Sequence, residues 1–133
     1  MLLDTSGLLC LYHQNEPFHQ QAVQAYHTSQ VRFTHSYVLA EFVALATVRR
    51  LPRLSVLEYL DALVDNPDIE VFWINEQVHR VAFALLLARR DKEYSLCDAV
   101  SFILMRQRNI VQALTTDKHF EQEGFIRLLK SHV

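Results

Sequence analysis

The chain has 133 residues and a formal net charge of −2; half of its residues are apolar and 21% are charged. That is the length of one domain with apolar content for a sizeable core, which argues against disorder and fibrous repeats. Thirteen basic residues against fifteen acidic ones mean that any contact with nucleic acid must use a local basic patch.

In chain order, Leu2-Leu3 is a very short apolar run, expected to be a first strand. It ends at Asp4-Thr5-Ser6-Gly7, whose polar residues suit a helix N-cap. Leu8, Leu9, Leu11 and Tyr12 then read as a short helix. Pro17 stands where a first helical residue is welcome, and Phe18, Ala22, Ala25 and Tyr26 make one apolar stripe of a second helix. Val31 to Thr34 alternates and reads as a strand. Ser36 is expected to cap a third helix reaching about Arg50, stopped by Pro52. A fourth helix places Val56, Leu57, Leu60, Leu63 and Val64 on one face and ends at the turn Asn66-Pro67-Asp68. Ile69 to Ile74 is rich in β-branched and aromatic residues and reads as a strand. Val78, Val81, Ala82 and Leu85 mark an amphipathic helix. Ala99 to Met105 is apolar nearly all round, as in a helix buried on most sides. Ile110–Leu114 reads as a buried strand and Ile126–Leu129 as a short last one. Strands alternating with helices imply an α/β sandwich of three layers, with a mostly parallel sheet of four to five strands. A single domain over 1–133 is expected.

Several chemistries can be set aside. With only Gly7 and Gly124, neither a Walker A segment nor a G-x-G-x-x-G turn can be written. Cys10 and Cys97 stand alone in apolar stretches and suit two buried thiols in a reducing cytoplasm. The N-terminus, Met-Leu-Leu-Asp, has no basic region and does not read as a signal peptide. The longest apolar helical run, Val38 to Val48, is interrupted by Glu41 and is too short to cross a bilayer. The expectation is a soluble, cytoplasmic protein with no membrane partner. No two of the seven histidines share an i,i+4 spacing, so a His-rich zinc site is not expected.

Ligands of open parallel sheets bind outside the carboxyl ends of the strands, where strand order reverses. Asp4 follows the first strand, and Asp117 follows Thr115-Thr116 at the end of the Ile110–Leu114 strand. Asp98 lies in the first turn of the buried helix, and Glu41 is the one charge in an otherwise apolar segment. Each has a plain alternative. Asp4 can cap the first helix, Asp98 can complete a capping box with Ser95, and Asp117 can be a turn residue. Glu41 is the hardest to dismiss, since burying an unpaired carboxylate costs several kcal/mol; the alternative is an exposed helix edge.

Taken together, Leu-Asp-Thr-Ser at 3–6, Ser36 with Glu41, Cys-Asp-Ala at 97–99, Thr-Thr-Asp at 115–117 and Gly124-Phe125 resemble the PIN-domain ribonucleases. The likeness is to the VapC-like toxins of toxin–antitoxin pairs, over nearly the whole chain. That family usually carries several more residues in the first strand, where Met1 leaves three here, so a trimmed edge or a late start is expected. The resemblance implies a PIN-like fold and acidic metal residues at Asp4, Glu41, Asp98 and Asp117. Thr5 or Ser6, and Thr116, would be their hydroxyl neighbours. It also implies hydrolysis of an RNA phosphodiester to 5′-phosphate and 3′-hydroxyl ends, a small antitoxin protein as partner, and a homodimer. Apolar helix surface in the first, third and fourth helices, beyond what a five-strand sheet obviously covers, gives mild support to partners.

Carboxylate oxygens suit Mg²⁺ or Mn²⁺. Without a cation, like charges roughly 5 Å apart at an effective dielectric near 20 repel by about 3 kcal/mol per pair, or one acid takes up a proton. Positive charge for RNA is sought in Arg49, Arg50 and Arg53, in Arg89, Arg90 and Lys92, and in Lys118 with His119, although any one of these also suits a solvated helix end. Two rivals remain. A haloacid-dehalogenase-type phosphatase needs a second Asp two residues after the first, where Ser6 stands. A PIN-like module that binds RNA or protein without catalysis would leave the four acids without a task.

Overall fold

The computed structural model describes residues 1–131. Its elements are β1 (Leu2–Leu3), α1 (Thr5–Tyr12), α2 (His19–Thr28), β2 (Phe33–His35), α3 (Ser36–Val48) and α4 (Arg53–Val64), followed by β3 (Glu70–Phe72), α5 (Glu76–Ala88), α6 (Leu96–Gln107), β4 (Gln112–Leu114), α7 (His119–Gln122) and β5 (Ile126–Arg127). The five strands lie in the order β3-β2-β1-β4-β5, and every pairing is parallel. The chain therefore winds one way from β1 to β3 and then returns past β1 to continue the other way. The reversal falls between β1 and β4, where Leu2 is paired with Ala113 and Leu3 with Leu114. A parallel sheet carrying helices on both faces is the three-layer α/β/α sandwich expected from the alternation of elements.

Two-residue alternation in β1 sets the layers. Leu3 enters a core with Leu8, Val38, Phe42, Val56 and Leu60, mainly under α1–α4. Leu2 enters the opposite core with Phe33, Val78, Ala82 and Phe102, under α5 and α6. Helix α1 lies so close to β4 that a Cβ on Gly7 would meet the Leu114 carbonyl oxygen at 2.0 Å. Only glycine fits there. The same close approach carries Asp4 to the end of β4, where its N–H donates to Leu114 O at 3.2 Å.

Several elements differ from the sequence pattern. The second strand is Phe33–His35, two residues later than Val31, which is 55% exposed. Its register is set by β3, with Phe33 opposite Glu70 and His35 opposite Phe72, and this carries His35 into the interior. There its Nε2 lies 2.8 Å from Ser101 Oγ of α6. Ser36 is the first residue of α3 rather than its cap; its hydroxyl accepts from the Ile74 N–H at 2.9 Å and ties α3 to the end of β3. The strands read as Ile110–Leu114 and Ile126–Leu129 shorten to Gln112–Leu114 and Ile126–Arg127, and Val111 is exposed. Val81 faces solvent on α5, as does Leu57 on α4. Helix α7 was not anticipated, because four residues are too few to show a period.

Candidate active site at the carboxyl ends of β1 and β4

Asp4 ends β1 and occupies the N-cap position of α1, yet its side chain makes no capping bond. Its Oδ2 instead accepts from the Thr115 hydroxyl at 2.8 Å, at the end of β4. The donors around it can be ordered, because each hydroxyl carries one hydrogen. Thr116 N–H donates to Ser6 Oγ at 3.0 Å. Thr115 spends its hydrogen on Asp4, so Ser6, 3.2 Å away, donates to Thr115 Oγ1. Asp117 N–H also donates to Thr115 Oγ1, at 3.0 Å. This chain of hydroxyls polarises toward Asp4 and locks the end of β4 against the start of α1. Asp4 is buried, and burial is the main reason its carboxyl is pushed up to about 7. The Thr115 hydroxyl and the Thr5 N–H oppose that rise, while Asp98 and Glu41 add to it.

Asp98 holds both of the roles that the sequence left open. It completes the capping box of α6, with Ser95 N–H donating to its Oδ2 and its own N–H donating to Ser95 Oγ, both at 3.0 Å. It also faces the other acids. His119 Nδ1 lies 3.0 Å from the same Oδ2. Burial raises the Asp98 carboxyl above its ordinary range; Ser95 and His119 offset part of the rise, and Asp117 adds to it. Asp117 accepts the His119 N–H on Oδ1 at 2.9 Å, and its Oδ2 lies 3.4 Å from His119 Nδ1. One donor atom from each of Asp98, Asp117 and His119 lies within 4.8 Å of the other two.

Glu41 is exposed, at the edge of α3, which is the plain alternative that the sequence offered for it, so no burial cost singles it out. Its charge still reaches Asp4 and the buried Cys97 thiol. Burial, together with Glu41, Asp4 and Asp98, pushes that thiol far above the ordinary range and keeps it protonated. The four acids thus share one rim, though Asp4 and Glu41 stand outside the close Asp98–Asp117–His119 group.

The hydroxyls sort differently from the sequence expectation. Thr115, rather than Thr116, meets Asp4; Thr116 contributes its N–H to Ser6 and its carbonyl to Arg127 Nη1 at 3.0 Å. Thr5 Oγ1 is buried without a partner. Thr115 and His119 carry no sequence signal of their own beyond standing beside Thr116 and Asp117, since the contacts that give them roles are made with Asp4 and Asp98.

Of the basic residues sought for RNA, Arg49 and Arg89 are engaged in ion pairs away from this rim. Arg89 and Arg106 both bind the buried Glu123, at 2.7 and 2.6 Å. Arg106 stands eight residues along α6 from Asp98, about 12 Å at the helical rise, so that ion pair lies at the other end of the helix. Arg49 pairs with Glu16 at 2.7 Å at the far end of α3 from Ser36, where the exposed Arg50 also lies. Arg90 is exposed beyond α5. Lys118, exposed and next to Asp117, adjoins the acids.

A family model described as PIN domain matches residues 1–125. No curated protein matches the chain. Nine chains of solved structures do. One is the crystal structure of Mycobacterium tuberculosis VapC20, a sarcin–ricin-loop-cleaving toxin, with a TM-score of 0.85 and 25% identity over 94% of this chain and 95% of that one.

Proposed function

Because the chain belongs to the PIN-domain family, as a VapC-like ribonuclease of the toxin–antitoxin class, we propose that it hydrolyses RNA at this rim with a bound Mg²⁺ or Mn²⁺. The observation that carries the reading is the meeting of Asp4, Asp98 and Asp117 at the reversal of strand order, with Glu41 at the solvent edge. The donor set fits a hard divalent ion: one donor atom each of Asp98, Asp117 and His119 lies within 4.8 Å of the other two, the charges of Asp4 and Asp98 reach one another, and burial makes those two charges costly unless a cation offsets them. Asp4, Asp98 and Asp117 would hold the ion, directly or through water. Bound there, it supplies a polarised phosphoryl group and a water that is nucleophilic at neutral pH.

The chain's own residues do the rest. The Thr116–Ser6–Thr115 hydrogen bonds fix the face that Asp4 presents. Ser95 and His119 fix Asp98. Glu41, in contact with solvent, orients the attacking water and passes its proton outward. The Thr5 hydroxyl, buried and unpartnered, is free to support a carboxylate or a substrate phosphate. Lys118 meets the RNA backbone beside Asp117. Arg50 and Arg90 are left for more distant phosphates, and Arg49 and Arg89 contribute only if their glutamate pairs open.

A small antitoxin and a second copy of the chain complete the proposal. An apolar groove of about 250 Å³, lined by Leu8, Leu11, Tyr26, Tyr59, Leu63 and Ile69, supports a partner. Among the described residues no helix is long and apolar enough to cross a membrane.

The reading is tested on the ends of the product. RNA cut by the protein in Mn²⁺ is expected to carry 5′-phosphate and 3′-hydroxyl ends, as attack by water with departure of the 3′ oxygen gives. Ends bearing 2′,3′-cyclic phosphate would mean attack by the neighbouring ribose hydroxyl, and would overturn it.

A further inference from the structure

We propose that His119 is a direct ligand of the divalent ion, and that its nitrogen makes the site favour Mn²⁺ over Mg²⁺; the inference rests on the metal-dependent reading above. His119 Nδ1 lies 3.0 Å from Asp98 Oδ2 and 3.4 Å from Asp117 Oδ2. Neighbouring ligands of an octahedral ion, each about 2.1 Å from it, stand about 3 Å apart. The imidazole therefore already sits at ligand spacing from both carboxylates. Without an ion, both neighbours of Nδ1 are acceptors, so Nδ1 carries the hydrogen and bridges them. The tautomer with hydrogen on Nε2 turns the same atom into a lone-pair donor beside both carboxylates.

Two contacts hold the ring there. The His119 backbone N–H donates to Asp117 Oδ1 at 2.9 Å and fixes the stem of the side chain, and the ring packs edge-on against Tyr94 with centroids 5.3 Å apart. Tyr94 is in turn buried against Phe102 of α6. The consequence lies in the choice of metal. Carboxylates suit Mg²⁺ and Mn²⁺ alike, whereas imidazole strengthens binding of transition ions and adds little for Mg²⁺. A ring that merely tethered the two acids would support both ions equally.

The test is binding rather than turnover. Titration of Mn²⁺, followed by loss of the free-ion paramagnetic resonance signal, gives its affinity, and displacement by Mg²⁺ gives the other. Wild type is compared with His119→Ala and His119→Gln, the latter keeping bulk against Tyr94 and a hydrogen-bond donor. Mn²⁺ affinity is expected to fall about tenfold or more in both variants, while that for Mg²⁺ changes less than about threefold. Equal losses for the two ions, or no loss, would overturn the assignment of His119 and leave the nuclease reading standing. Failure of wild type to bind either ion would overturn the metal site itself.

Discussion

Replacing Asp98 by Asn is expected to abolish RNA cleavage, by about a thousandfold or more, while the metal-free protein melts at a higher temperature. Residues that only orient a metal ligand already cost about 10–100-fold when removed, so loss of a charged ligand exceeds that. The stabilisation follows from burial. The Asp98 carboxyl is raised above its ordinary range, so its ionised form opposes folding at neutral pH. Asn keeps an oxygen to accept from Ser95 N–H and His119 Nδ1, so the capping box survives while the charge goes. Ser95→Ala is the complementary variant: it loses about 1 kcal/mol of capping and leaves the charges in place. Rate and stability should therefore move in opposite directions in Asp98→Asn, measured by an RNA assay and a melting curve. A stabilised variant that still cuts at the wild-type rate would remove Asp98 from the chemistry.

Asp4→Asn is expected to stabilise the metal-free protein by as much as about 4 kcal/mol at pH 8 and by almost nothing near pH 4. The Asp4 carboxyl rises from 3.8 to about 7, and each unit corresponds to about 1.4 kcal/mol. Below 3.8 the group is protonated in folded and unfolded chains alike, and it costs nothing. Between 3.8 and about 7 the unfolded chain loses the proton that the folded one keeps, so the penalty grows with pH. Above about 7 it is constant. Glu123, held low by Arg106 and Arg89, works in the opposite sense, since its contribution is lost as pH falls. The difference between variant and wild type cancels that background. Denaturant unfolding in EDTA across pH 4–8 measures it, and a difference that did not change with pH would contradict a buried, destabilised Asp4. Saturating Mn²⁺ should shrink the gain, because the ion stabilises only the form it binds.

Asp4, Asp98 and Asp117 could be placed from the sequence because strand ends and a helix start are local features, and the reversal of strand order then sends all three to one rim. Glu41 needed one thing more. Val38, Phe42 and Ala46 form the buried stripe of α3, and Glu41 stands one residue, about 100° of helix, away from it. Apolar neighbours in sequence made it look buried, although they occupy a different face. Thr115 and His119 were harder still, since their roles depend on Asp4 and Asp98, distant in the chain. The same holds for Arg89, whose clustering with Arg90 and Lys92 suggested an RNA contact. Its partner, Glu123, arrives from beyond α7 and turns it into a brace. Pattern reading thus recovers what each element does alone and misses what tertiary pairing decides. His35 is the same lesson inside the core, polar by type yet buried because β3 fixes its register.

The most direct measurement is cleavage of a mixed RNA pool by protein stripped with EDTA and dialysed, with Mg²⁺ or Mn²⁺ withheld and then restored. Cutting that is absent without the ion and returns with it is the result expected of a carboxylate-held cation at the ends of β1 and β4. Cutting that continues in EDTA would contradict it, because these acids alone, one of them held protonated near neutrality by burial, offer no activated water of their own.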